Sequence, residues 1–136
     1  MKINPNTPFK IKEIENMVIE LKDGCKLASR LWMPIDALEK PVPAVLEYIP
    51  YRKRDGTIYR DHLIHPYVAG QGYVCLRVDM RGSGDSEGLL EDEYSSRELS
   101  DAKELINWIS KQPWCSGNVG MMGKSWGGFN LSLIHI

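Results

Sequence analysis

The chain has 136 residues, 43% of them hydrophobic and 26% charged, a balance that fits one globular domain or part of one and excludes a disordered or fibrous chain. A net charge of -1 and a pI near 6.3 leave no electrostatic footprint for nucleic acid or an anionic membrane surface. No stretch approaches the roughly 18 apolar residues of a membrane span, and Met1-Lys2-Ile3-Asn4-Pro5 lacks the apolar core of a signal peptide, so a cytoplasmic location is expected.

In chain order, residues 1–12 carry Asn4-Pro5-Asn6-Thr7-Pro8 and read as a loose arm. Ile14 to Leu21 and Lys26 to Met33 form two strand-like runs around Lys22-Asp23-Gly24-Cys25, where Asp-Gly supplies the positive φ of a hairpin turn. Met17, Ile19 and Leu21, then Leu27 and Leu31, alternate with other residues, which predicts one buried and one wet face. Pro34 closes the second strand, and Pro43 to Ile49 is a third, ended by Pro50-Tyr51 because proline cannot donate to the ladder. Arg52-Lys53-Arg54 reads as a solvated basic loop.

Tyr59 to Ala69 can form a helix, although Pro66 inside it suggests a kink or two short pieces. Gly70-Gln71-Gly72 leads into Tyr73 to Asp79, a strand rich in β-branched and aromatic residues. A glycine loop follows, Arg81 to Gly88. The clearest helix comes next: Ser95 and Glu98 make a capping box, and Leu99, Ala102, Leu105, Ile106 and Ile109 line one face at helical spacing. Pro113 stops it, and Asn118 to Met122 is a short strand feeding Gly123-Lys124-Ser125-Trp126-Gly127-Gly128.

Strands alternating with helices predict a mainly parallel α/β sheet, opened by the N-terminal β-hairpin. Such sheets carry their sites at the carboxyl ends of strands. The loops at Tyr51, at Arg81 to Gly88 and at Ser125 all leave such ends and are expected on one edge of the sheet. Glycines two before and two after Ser125, between a strand and a helix, fit a nucleophile elbow that presents the serine hydroxyl.

Other motifs fail on inspection. The loop at Gly82 and Gly84 lacks the third glycine of a dinucleotide fingerprint, since Glu87 stands there, and Gly123-Lys124-Ser125 lacks the upstream glycine of a phosphate loop, since Asn118 stands there. His62 and His65 read as an interior or surface pair on a helix rather than metal ligands, and Trp108, Trp114 and Trp126 as packing residues. Cys25, Cys75 and Cys115 have no zinc spacing and read as free thiols in a reducing compartment.

Five ordered motifs, Pro50-Tyr51-Arg52-Lys53, Asp79 to Gly88, Asp101 to Trp108, Gln112-Pro113-Trp114 and Gly123 to Gly128, resemble the X-prolyl dipeptidyl peptidase and cocaine esterase group of α/β-hydrolases. The resemblance runs from about Ile14 to Asn130. It implies an α/β-hydrolase fold and acyl transfer on an ester or peptide bond. It also implies Ser125 as nucleophile, with an oxyanion hole built from the Trp126 backbone N–H and the Tyr51 hydroxyl. No cofactor or metal is implied, and the expected partner is a small-molecule ester or peptide, with neither nucleic acid nor membrane.

The proton-handling half of such a site is missing from this sequence. A hydrolase triad runs serine, acid, histidine, but the eleven residues after Ser125 include no acid and only His135. In a helix His135 would stand about 15 Å along the axis, out of reach of the serine proton. The chain is therefore expected to be an N-terminal fragment, with residues 13–136 part of a catalytic domain whose remaining strands, cap and β-sandwich follow. The alternative is a non-catalytic folding unit or interaction piece. Leu131 to Ile136 departs from the small residues the resemblance would imply there, which raises the question whether those six residues are native.

Overall fold

The computed structural model of the protein describes residues 7–135, with side chains through residue 132. Residues 1–6 of the expected arm, and the last residues in question after 132, lie outside what is described at that level. Residues 7–10 rest on a helix end: the Phe9 N–H donates to the Gly70 carbonyl at 3.2 Å. Five strands and three helices follow: β1 (Ile11–Glu20), β2 (Lys26–Pro34), β3 (Val42–Ile49), α1 (Ile58–Ala69), β4 (Val74–Asp79), α2 (Ser96–Ser110), β5 (Cys115–Met121) and α3 (Trp126–His135).

The strands form one sheet in the order β1-β2-β4-β3-β5. Its half nearest Ser125 is parallel, β4 with β3 and β3 with β5, while the hairpin β1–β2 joins β4 antiparallel, so the whole sheet is mixed. The hairpin turn is the one that Asp23-Gly24 announces, with Gly24 at φ 83° and the Leu21 N–H donating to the Cys25 carbonyl at 2.9 Å.

Because side chains alternate across a strand, the central strands feed two cores. Val74, Leu76 and Val78 of β4, with Ala44 and Leu46 of β3 and Leu27 and Leu31 of β2, pack against Ala102, Leu105 and Ile109 of α2. The opposite face carries Trp32 and Cys75 against Ala69 of α1. The expected one-sided pattern holds on β1, where Met17 and Ile19 join the core and Val18 is exposed, but not on β2. β2 is interior to the sheet and buried on both faces, because α1 covers the side that alternation alone leaves wet.

Two further expectations change. α1 is one helix despite Pro66, which stands only three residues from its end and still accepts the Gly70 N–H through its carbonyl at 2.9 Å. β5 begins at Cys115, three residues earlier than Asn118, with Gly117 at φ 93° absorbing the irregularity in its pairing with β3. The three cysteines are free, as read from their spacing, and the structure buries all three. Among the described residues no helix is long and apolar enough to cross a membrane.

Beyond β3, β5 has no second neighbour among the described strands, and Tyr59 and Leu63 on the outer side of α1 are 87% and 71% exposed. An unpaired sheet edge and an apolar stripe together favour self-association. The 136-residue chain expressed alone is expected to be poorly soluble or to lack a cooperative thermal transition by near-UV circular dichroism. A sharp transition of a monomer would contradict this.

Candidate active site

β5 ends at Met121, and the chain turns into α3 within four residues. Ser125 stands on that turn at φ 59°, the left-handed region a serine enters only where its surroundings impose it. The flanking glycines allow the imposition. A Cβ on Gly123 would lie 2.3 Å from the carbonyl carbon of Gly127, and a Cβ on Gly127 would lie 2.7 Å from Ile49 Cγ2. Ser125 is consequently exposed at the strand's carboxyl end, and Trp126 opens α3 with its N–H among those a helix leaves unpaired.

β3 runs parallel to β5, so the loop that follows β3 reaches the same edge. Tyr51 lies in it. Its hydroxyl donates to Ser125 Oγ at 3.2 Å and accepts the Trp126 N–H at 3.4 Å. The three residues singled out in the sequence therefore meet at one point. Gly56 lets the loop fold back beneath Tyr51, since a Cβ there would stand 2.1 Å from the Tyr51 carbonyl oxygen.

Lys53, read from the sequence as part of a solvated basic run, is a correction: its side chain is 1% exposed. Its N–H donates to Asp79 Oδ1 at 2.8 Å, and its ammonium donates to Asn16 Oδ1 at 2.8 Å and Asp85 Oδ2 at 3.2 Å. Asp79, at the carboxyl end of β4, also accepts the Asp85 N–H at 3.2 Å through Oδ2, so the glycine loop and the Tyr51 loop share one carboxylate. A Cβ on Gly84 would strike that carboxylate at 2.1 Å. Burial pushes the Asp79 carboxyl up, while the Arg77 guanidinium and the two N–H donors pull it back. The flanking Arg52 and Arg54 are exposed, as expected. Lys53→Met is expected to lower stability by about 1 kcal/mol, because the ammonium's bonds to Asn16 and Asp85 go while the backbone N–H stays on Asp79; the change is read as a shift of the urea midpoint.

Glu47, Asp61 and His65 form a second buried cluster, their nearest ligand atoms within 4.8 Å of one another. The carboxylates already have cationic partners: Arg60 reaches Glu47 at 2.7 Å and Asp61 at 2.8 Å, and Arg77 Nε lies 3.3 Å from Asp61. His65 Nε2 is 3.0 Å from Glu47, and the ring stacks on Trp32 at 4.9 Å. This is an ion network between α1 and the sheet. His65 is the interior member of the histidine pair and His62 the surface one, its side chain half exposed beside Arg30.

Two residues that hold the elbow were not singled out in that role. Asn130, 2% exposed, donates from Nδ2 to the Tyr48 carbonyl at 2.7 Å and ties α3 to the end of β3. Glu98, noticed only as a helix cap, accepts the Trp126 indole N–H at 2.8 Å. Trp108 and Trp114 pack edge to face at 6.4 Å, as packing residues would. Among the described side chains no histidine or carboxylate bonds Ser125 Oγ, and the side chain of His135 lies outside the described residues.

The chain also resembles known proteins in sequence and in structure. Residues 23–135 match the sequence profile of the X-Pro dipeptidyl-peptidase (S15) family. The chain is 36% identical over 113 residues to a cocaine esterase of Rhodococcus sp., covering 82% of this chain and 19% of that protein. It is 32% identical over 135 residues to a Mycobacterium bovis protein that carries a serine-esterase name, covering 87% and 21%. In structure it superposes on a CocE/NonD family hydrolase from Staphylococcus aureus with a TM-score of 0.77 at 24% identity, covering 90% of this chain and 25% of that one. The chain thus spans about a fifth of the length of the curated relatives it matches.

Proposed function

The chain belongs to the X-Pro dipeptidyl-peptidase (S15) family, and from that membership we propose that the protein is a serine hydrolase acting by acyl transfer, of the acyl-esterase or X-prolyl dipeptidyl-peptidase type. Ser125 Oγ attacks the carbonyl carbon of an ester or peptide, giving its proton to a base. Negative charge gathers on the former carbonyl oxygen, where the Trp126 N–H and the Tyr51 hydroxyl receive it. Collapse expels the alcohol or amine and leaves an acyl-serine, which water then hydrolyses by the same steps.

The observation that carries this reading is the meeting of Tyr51 Oη, Ser125 Oγ and the Trp126 N–H within 3.2–3.4 Å. A serine hydroxyl, a phenol and a peptide N–H need no metal or cofactor for this chemistry. The base and its acid partner are assigned to sequence following residue 136, in keeping with relatives of which this chain covers about a fifth. On this reading residues 13–136 supply the first part of the catalytic domain, carrying the nucleophile and oxyanion hole, and the remaining strands, cap and β-sandwich come after. The partner is a small ester or peptide, and the 136-residue chain by itself is inactive.

The full-length protein, assayed with p-nitrophenyl acetate and with an X-prolyl p-nitroanilide, tests the proposal. Hydrolysis of either substrate that is lost after treatment with phenylmethylsulfonyl fluoride and insensitive to EDTA is expected. Hydrolysis that survives the sulfonyl fluoride and requires a divalent cation would overturn it.

A further inference from the structure

We propose that Glu98 is a positioning residue for the oxyanion hole, holding Trp126 by its indole so that the Trp126 peptide N–H stays aimed beside Ser125. The inference rests on the reading of Ser125 as nucleophile.

Ser95 caps α2, accepting the Glu98 N–H through its hydroxyl at 3.1 Å. In a capping box the carboxylate would return to the N–H of the cap residue itself. Here it does something else. Oε2 accepts the N–H of Tyr94, one residue earlier, at 3.1 Å, and Oε1 accepts the Trp126 Nε1–H at 2.8 Å. Glu98 is 5% exposed, so each carboxylate oxygen has a donor in a site that water scarcely reaches. Burial pushes its carboxyl up, and the indole and the Tyr94 N–H oppose that. Hydrogen bonds to a carboxylate are the strong kind, and a dry site strengthens them.

The bond falls where it matters most for the hole. Trp126 is the first residue of α3 and the residue that follows Ser125. Its backbone N–H reaches Tyr51 Oη at 3.4 Å, while its indole is anchored across the sheet's edge on α2. A second contact between the same two segments joins the rings of Tyr94 and Phe129, centroids 5.5 Å apart. Tyr94 stands at φ 61°, a strained backbone that its N–H bond to Glu98 helps to hold. Positions 126 and 129 lie three apart on one side of α3, so Glu98 of α2 and Tyr94 just before its cap hold that helix on one face at its first turn. Two donors converging on two oxygens require a carboxylate. Glutamine has one acceptor oxygen, and its amide N–H₂ would face a donor in place of the other.

The test compares Glu98→Gln, Trp126→Phe and the double variant in the full-length protein. Each single variant is expected to lower kcat about tenfold with KM little changed, since displacing a transition-state donor leaves ground-state binding in place. The double variant is expected to fall no further than Trp126→Phe alone, because both remove the same link. With 5-fluorotryptophan incorporated, the fluorine resonance assigned to Trp126 by its disappearance in Trp126→Phe is expected to shift in Glu98→Gln. Independent losses that multiply in the double variant, an unchanged kcat in Glu98→Gln, or an unmoved resonance would each overturn the inference. If the wild type does not hydrolyse ester or peptide at all, the functional reading fails separately, and the fluorine resonance still decides whether Glu98 holds the indole.

Discussion

Ser125→Ala is expected to lower ester or peptide hydrolysis by the full-length protein about a millionfold while leaving its thermal midpoint within a few degrees of wild type. The size follows from the role. Removing the nucleophile leaves only substrate binding and the oxyanion donors, and the members of a nucleophile–base unit fail together rather than in part. The fold should tolerate the change because Ser125 is exposed and its hydroxyl bonds only Tyr51 among the described side chains. Alanine occupies φ 59° no less readily than serine does, so the elbow that Gly123 and Gly127 permit is kept. Steady-state hydrolysis beside a thermal melt checks both halves. A variant with a tenth of wild-type activity would remove Ser125 from the chemistry.

Tyr51→Phe is expected to cost about 10²–10³-fold in kcat, with KM changed far less. The Tyr51 hydroxyl bridges the other two groups, donating to Ser125 Oγ and accepting the Trp126 N–H. On the proposed reading both donors turn to an entering acyl oxygen, and the charge they meet exists only in the transition state. Phenylalanine keeps the ring and loses the donor. The ring should stay in place, because the loop is pinned from below by Lys53 on Asp79, Asp85 and Asn16 and closes over Gly56. A purely structural role for Tyr51 would instead raise KM or lower stability, so the separate kcat and KM values discriminate.

The elbow was readable because it is local: a turn this tight excludes a side chain at positions 123 and 127, and that exclusion is written as glycine. The parallel strands were readable from β-branched and aromatic runs bounded by proline and glycine, and α2 from its period and its cap. What escaped the sequence depends on partners far along the chain. Lys53 sits in a run of three cations that looks solvated, and only the approach of Asn16 and Asp85, 37 and 32 residues away, shows it to be buried. The second face of β2 is closed by α1, and Trp32 gave no periodic sign of it. Pro66 reads as a break from its ring alone, yet the helix ends three residues later and loses little by keeping it. Glu98 was visible as a cap, but a capping motif says where a backbone N–H goes and is silent about an indole 28 residues downstream.

These cases share a physical cause. Turn and helix-end chemistry is decided within a few residues, whereas burial of a charge is decided by whichever opposite charge the topology delivers. In this chain the topology delivers Asp79 and Asp85 beneath the Tyr51 loop, and Glu98 beneath the elbow. The residues of the proposed site were legible in the sequence and the residues that support them were not.

The most direct measurement is covalent labelling of the full-length protein by a fluorophosphonate probe, with the modified peptide located by mass spectrometry. Stoichiometric labelling on Ser125 is expected, lost in Ser125→Ala and slowed at least a hundredfold in the 136-residue chain. Labelling on another residue, or none on a protein that hydrolyses ester or peptide, would contradict it.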